Sequence, residues 1–218
     1  MPRLIKILCL LIVSSTLAYS QTEALATVTF TLDFPASQPE HYSIRVQSDG
    51  SARYQSSGRL SADSDDTDSF DLDFTVVAET WQKIFELAAK AGYFQKDVDS
   101  HHKGLAFTGK KTLGYKDTRR SGESTYNYSA NPAVQDLTTL MQSLSATLEF
   151  GHRLQYDHHY QKLALDEELK RMEEMARTNQ LIEVAAIQPI LNQIIADPSV
   201  INVTRARAQR LLDRAGVR

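Results

Sequence analysis

A chain of 218 residues is long enough for one medium domain, or for a small domain with a helical extension. Its formal net charge is −3, which argues against a general binder of nucleic acid or anionic membranes. The only cysteine is Cys9, so the chain beyond it offers no internal disulfide, thiolate metal site or cysteine nucleophile.

The first twenty residues are typical of a secretory signal peptide, residues 1–20. Arg3 and Lys6 precede an apolar run, Ile7 to Val13, that is too short to span a bilayer. Ala18-Tyr19-Ser20 then supplies small residues for a cleavage site. We predict cleavage after Ser20 and a periplasmic or secreted protein, with an uncleaved N-terminal anchor as the alternative. Loss of the two basic residues lowers the basic count from 24 to 22 against 27 acidic residues, a net charge of −5.

Alternating polar and apolar residues predict strands on both sides of one central helix. The predicted strands are Thr27–Phe34, His41–Gln47, Ala52–Leu60, Gly104–Tyr115 and Ser124–Ser129. Asp49-Gly50 is a strong hairpin signal, because both central positions of a type I′ turn need positive φ. Residues 21–130 are therefore predicted to form a hairpin–helix–hairpin domain with an antiparallel sheet.

The central helix is predicted within Phe74–Phe94. Its apolar residues recur at helical three- and four-residue steps: Val77, Trp81, Ile84, Phe85 and Ala88. We expect Thr75 to be its N-cap and Gly92 its left-handed C-cap. The helix should cover one face of the sheet.

Six aspartates lie close together before the central helix: Asp63, Asp65, Asp66, Asp68, Asp71 and Asp73. Such oxygen ligands suit calcium, but the glycine and closing glutamate of an EF-hand are missing. Asp71 and Asp73 also alternate with Phe70, Leu72 and Phe74. The favoured interpretation is an acidic loop that enters an edge strand.

Residues 131–178 are predicted to form a long helix, begun by Asn131-Pro132 as cap and first helical residue. An apolar seam runs along it through Val134, Leu137, Met141, Leu144 and Leu148. Whether Gly151 bends this helix is left open. Leu154 to Met175 should continue it with a thinner apolar stripe.

The C-terminal tail, residues 179–218, is predicted to be a helical hairpin. Leu181–Ala196 is expected to kink at Pro189, and a turn at Asp197-Pro198-Ser199 leads to a helix over Val203–Ala215. PILNQIIADPSVINVTRARAQRLLDRAG resembles a single HEAT-type helical hairpin. Because one such unit cannot bury its faces alone, we expect it to dock on the chain's own stripe, on a second copy or on another protein.

The segments HYSIRVQSDGSARY and TWQKIFELAAKAGYF resemble a type of secreted bacterial domain of unknown function. The resemblance covers Thr27 to Ser129. It implies the hairpin and the helix but no activity, cofactor or site.

No catalytic, phosphate-binding or dinucleotide motif is present in the sequence. Histidines are the remaining candidates for a zinc or copper site: His101, His102, His152, His158 and His159. His152 and His159 share a helix face two turns apart, so one ion would need a further ligand such as Asp157, Tyr156 or His101. Because short zinc spacings are missing, exposed polar side chains are the favoured interpretation. We therefore predict no catalytic, cofactor-binding or metal-ligating residue.

The sequence thus predicts an α+β protein with an antiparallel sheet, one covering helix and a helical C-terminal half. The favoured function is a non-catalytic binding or scaffolding module of the bacterial cell envelope. A metal-dependent or hydrolytic periplasmic enzyme that uses the histidine-rich segments is the alternative. Partner binding or self-association is expected through the C-terminal helices, where Arg205, Arg207, Arg210 and Arg214 could face an acidic partner. No nucleic-acid binding, and no membrane binding after cleavage, is expected.

Overall fold

The computed structural model describes residues 25–35, 37–59 and 67–216, and an antiparallel sheet forms the first part of this chain. The strands are β1 Thr27–Asp33, β2 His41–Gln47, β3 Ser51–Arg59, β4 Thr67–Thr75, β5 Lys110–Lys116 and β6 Ser121–Tyr126. They lie in the order β4-β3-β2-β1-β5-β6, and every neighbouring pair is antiparallel. The predicted α+β class is confirmed. The predicted signal peptide lies outside the described residues.

One face of the sheet is apolar because alternate residues of each strand point inward. Phe30, Ile44 and Tyr54 are fully buried on this face. Gly50 adopts φ +87° in the predicted Asp49-Gly50 turn, a conformation that glycine reaches without steric penalty. The acidic residues of β4 lie in an edge strand, as predicted, and Asp71 there pairs with Arg53 of β3.

The predicted bounds of the last two strands are wrong. Residues 104–109 form no strand; Gly109 has a φ of +98°, and Nζ of Lys111 donates to the carbonyls of Thr108 and Gly109 at 3.2 and 3.4 Å. Strand β1 ends at Asp33, which pairs with Lys110, so β1 offers residues 104–109 no strand partner. The β6 strand begins at Ser121, earlier than predicted, and ends at Tyr126.

Helix α1, Ala78–Lys90, lies against the inner face as predicted. Thr75 is not its cap, because Thr75 still pairs with Ser51 in the sheet. The cap is Val77, whose N–H donates to Oε2 of Glu183 at 3.1 Å, so the C-terminal tail supplies the capping carboxylate. Gly92 adopts the predicted left-handed conformation, with φ +69°.

Helix α2, Pro132–Tyr160, begins as predicted: Oδ1 of Asn131 accepts the N–H of Ala133 at 2.9 Å. It runs without interruption through Gly151. A Cβ at that position would lie 2.4 Å from Cγ2 of Ile187, so glycine permits a close approach of the tail. The predicted continuation to Met175 is wrong, because residues 161–164 break the helix before α3, Leu165–Arg177.

The tail forms α4, Gln188–Ala196, and α5, Asn202–Arg214. Pro189 does not kink a helix; it lies in the first turn of α4, where its missing N–H has no intrahelical acceptor to lose. The tail packs on the stripe of α3, whose Leu165, Leu169 and Met172 are fully buried, so the expected docking within the chain is confirmed. In the described parts of the chain, no helix combines the length and apolar character needed to cross a bilayer.

Candidate functional site

A cleft of about 590 Å³ opens where the sheet edge meets the helical half. Strands β3 and β4 and the loop before β2 form one side of the cleft, and the second half of α2 with the start of α3 forms the other. The walls carry both charged and aromatic side chains. The cleft therefore combines residues that are distant in sequence and brought together by the docking of α2 on the sheet.

Glu149 is the buried acidic residue at the inner end of the cleft, only 8% exposed. Its Oε1 accepts hydrogen bonds from the Tyr54 hydroxyl and the Ser56 hydroxyl, each at 2.7 Å. The Tyr54 hydroxyl also lies 3.0 Å from Oγ of Ser145, one turn before Glu149 on α2. Tyr54 comes from β3, so this network joins the helix to the sheet.

The Glu149 carboxyl stays ionised despite its burial. Desolvation alone would raise its pKa, but the nearby His152 imidazole and the hydrogen bonds from Ser56 and Tyr54 outweigh that effect and hold the pKa below its ordinary value. Burial raises the pKa of the Tyr54 phenol far above the ordinary range, so the phenol remains a hydrogen-bond donor. The result is a fixed negative charge with fixed donors around it.

His152 forms the aromatic wall above Glu149. Its ring stacks on Phe70 of β4, with a centroid separation of 4.3 Å and an interplanar angle of 3°. Nδ1 lies 4.0 Å from Oε2 of Glu149, and Nε2 lies 3.5 Å from Oδ2 of Asp68. The imidazole therefore stacks on the Phe70 ring and has one carboxylate near each of its two nitrogens.

Two guanidinium groups converge on Glu168 at the opposite wall. Oε1 of Glu168 lies 3.1 Å from Nη1 of Arg171 and 3.4 Å from Nε of Arg153. Both guanidinium groups also lie near the Phe150 ring, at 4.5 Å for Arg153 and 5.9 Å for Arg171. Oε2 of Glu168 is buried and has no hydrogen-bond partner among the described residues.

Asp157 is a second buried carboxyl that lines the cleft, 8% exposed. Its side chain makes no hydrogen bond or ion pair with any residue that the structure describes. Burial raises its pKa, and the negative charge of Glu168 raises it further, against the smaller opposing effect of Arg153. This carboxyl therefore has acceptor capacity that the described residues do not use.

The structure does not bring the candidate histidines together. His152 lies in the cleft, whereas Nε2 of His158 lies 3.0 Å from Asp197 and Nε2 of His101 lies 2.7 Å from Asp97. His159 packs against Tyr160, and His102 is exposed. Across residues 25–35, 37–59 and 67–216, no three side chains of the metal-ligating types form a group that could hold a metal ion.

Two of the four arginines of α5, Arg207 and Arg210, have acidic partners within the chain. Arg207 donates to Asp166 at 2.9 Å and to Glu173 at 2.5 Å, and Arg210 donates to Glu173 at 2.7 Å. These arginines therefore fasten the tail to α3.

Sequence analysis did not find the cleft. The available signal was the helical spacing of Ser145, Glu149 and His152, which places three polar side chains on one face beside an apolar seam. The partners of Glu149 on β3 are more than ninety residues away, and no spacing rule connects them. The chain matches no known family model, and a comparison with curated proteins finds no significant match.

Proposed function

We propose that this chain is a non-catalytic, exported binding module whose cleft takes up a small polar molecule. The main support is the buried carboxylate of Glu149, which lines the cleft and is held in place by hydrogen bonds from the Tyr54 and Ser56 hydroxyl groups of β3. Its volume of about 590 Å³ lies within the range of about 300–1,000 Å³ that is usual for small-molecule sites. A site whose polar groups are fixed in advance loses little entropy when the ligand binds.

The competing function is a hydrolase that uses Ser56, Glu149 and His152. In a catalytic triad the histidine lies between the serine and the acid, so that it can accept the serine proton. Here Ser56 donates directly to Glu149, and His152 lies on the other carboxylate oxygen. A carboxylate with a lowered pKa is a weak base for a serine hydroxyl. This order of contacts favours binding over nucleophilic catalysis.

Binding through the C-terminal helices remains a second expectation. Most of their apolar residues are used within the chain, since Ile190, Leu191, Ile194, Leu211 and Leu212 are all buried. We therefore favour the cleft over the C-terminal helices as the ligand site. The HEAT-like resemblance of the tail suggests that the tail serves in packing, while the cleft serves in ligand binding.

The test is an amide NMR screen of the protein lacking residues 1–20 against a fragment library with cationic, neutral and anionic members. We expect the ligands that bind to shift amide signals of residues that line the cleft. His152→Ala should weaken those shifts by removing the ring stacked on Phe70. The matched control is His159→Ala, seven residues further along α2 and outside the cleft lining, which should leave them unchanged. Shifts confined to other surfaces, or none from the whole library, would contradict the proposal.

A further inference from the structure

The charge of the cleft is strongly unbalanced. Five carboxylates line it, from Asp68, Glu149, Asp157, Glu167 and Glu168, against the guanidinium groups of Arg153 and Arg171. Both guanidinium groups lie on the same oxygen of Glu168. The positive charge is therefore concentrated at one carboxylate, and the remainder of the cleft is negative.

The spare acceptors are on one side of the cleft. Asp157 is more than nine-tenths buried and has no side-chain partner in the described chain, and Oε2 of Glu168 is buried without a hydrogen bond there. Both carboxyl groups line the same cleft. A buried acceptor without a donor costs free energy, which a ligand that brings a donor recovers.

Aromatic side chains also line the cleft, beside the charged ones. The Phe70–His152 stack stands on one side, and Tyr156, which is 47% exposed, lies one residue before Asp157 on α2. Aromatic faces attract cations through their ring quadrupoles and accommodate short alkyl chains. The same surfaces give no advantage to an anion.

Resting on the proposed function, we infer that the cleft selects a small organic cation, an alkylammonium compound whose N–H groups donate to the carboxylate of Asp157. The ligand brings the donor that Asp157 lacks among the described residues, and a positive charge that suits the net negative lining of the cleft. A neutral compound of equal length would bring weaker donors and leave the charge uncompensated. An anion would meet repulsion from most of the lining.

The experiment compares three four-carbon probes by isothermal titration calorimetry: 1,4-diaminobutane, 1,4-butanediol and succinate. We expect the diamine to bind at least about tenfold more tightly than the diol, because hydrogen bonds to charged groups are the stronger class. Succinate should give no measurable binding. This comparison uses the unaltered sequence, so it does not depend on whether a variant folds.

Two matched variants then locate the ammonium group. Asp157→Asn should weaken the affinity for the diamine about tenfold or more. The control is Asp136→Asn, because Asp136 is exposed on the same helix and outside the cleft lining; this change should leave the affinity unchanged. Equal loss in both variants would mean general charge attraction and would overturn the inference. Unchanged affinity in Asp157→Asn would overturn it as well.

The fragment screen separates this inference from the proposed function. If neutral or anionic fragments shift the cleft signals and diamines do not, the cleft is a binding site and the inferred selectivity is wrong. If no fragment of any charge shifts those signals, the proposed function itself fails.

Discussion

Replacing Tyr54 with phenylalanine tests whether the Glu149 network joins the helix to the sheet. The ring is fully buried and would remain, so the change removes only the hydroxyl that donates to Glu149 at 2.7 Å and contacts Ser145 at 3.0 Å. Hydrogen bonds to charged groups contribute about 1.5–3 kcal/mol. Because Ser56 still donates to Glu149, we expect a loss of that order in the free energy of unfolding and not more.

The pH dependence of this loss identifies its cause. The pKa of Glu149 is lowered in the folded protein, so its contribution to stability is complete above the unfolded pKa of about 4.3 and is lost as the pH falls through the folded value. The effect of Tyr54→Phe should therefore be largest near neutral pH and decline in acid.

Urea unfolding at several pH values, followed by circular dichroism, measures this effect. The matched control is Tyr160→Phe, whose side chain is 68% exposed and should change stability by less than about 0.5 kcal/mol. In thermal unfolding, Tyr54→Phe should lower the melting temperature of a protein of this size by about 3–12 °C. A loss similar to that of the control, or one that does not vary between pH 3 and pH 7, would refute the reasoning.

Three further predictions follow from the docking of the tail and from the N-terminus. Gly151→Ala places a methyl group against Ile187. The overpacking should cost about 1–3 kcal/mol, and the better helix propensity of alanine should offset about 1 kcal/mol of that cost. We therefore expect a lower free energy of unfolding. In an Ile187→Ala background the same change should be neutral or stabilising, and an equal loss in both backgrounds would contradict the contact. Truncation after Thr178 should uncover the apolar stripe of α3 and promote association in light scattering, whereas a monomer with an unchanged melting temperature would contradict the docking. N-terminal sequencing of protein recovered from the periplasm or the medium should find Gln21 as the first residue, and a protein that retains Met1 would contradict the predicted cleavage.

Local patterns predicted much of the fold. Alternation and the Asp-Gly turn defined β1, β2 and the hairpin to β3, and the three-four spacing defined α1 and the start of α2. These elements follow from short-range periodicity, which one sequence records directly. Thr75 was misassigned because a good capping residue can equally end a strand, and its strand partner Ser51 is far away in sequence.

The site was harder to predict because its parts are not local. Glu149 lies between Leu148 and Phe150 in a helix that the sequence describes mainly by its apolar seam. Its fixed charge depends on Tyr54 and Ser56, and no sequence pattern gives the register of α2 on β3. Likewise, the break at residues 161–164 contains neither glycine nor proline, so no local sequence pattern marks it.

A crystal structure of the protein soaked with 1,4-diaminobutane would show directly where the ammonium group binds. We expect density for one diamine in the cleft, with a nitrogen within hydrogen-bond distance, about 2.7–3.2 Å, of a carboxylate oxygen of Asp157. The alkyl chain should lie along the cleft walls. Density at another surface, or an empty cleft at a diamine concentration that saturates binding in solution, would show that the cleft is not the diamine site.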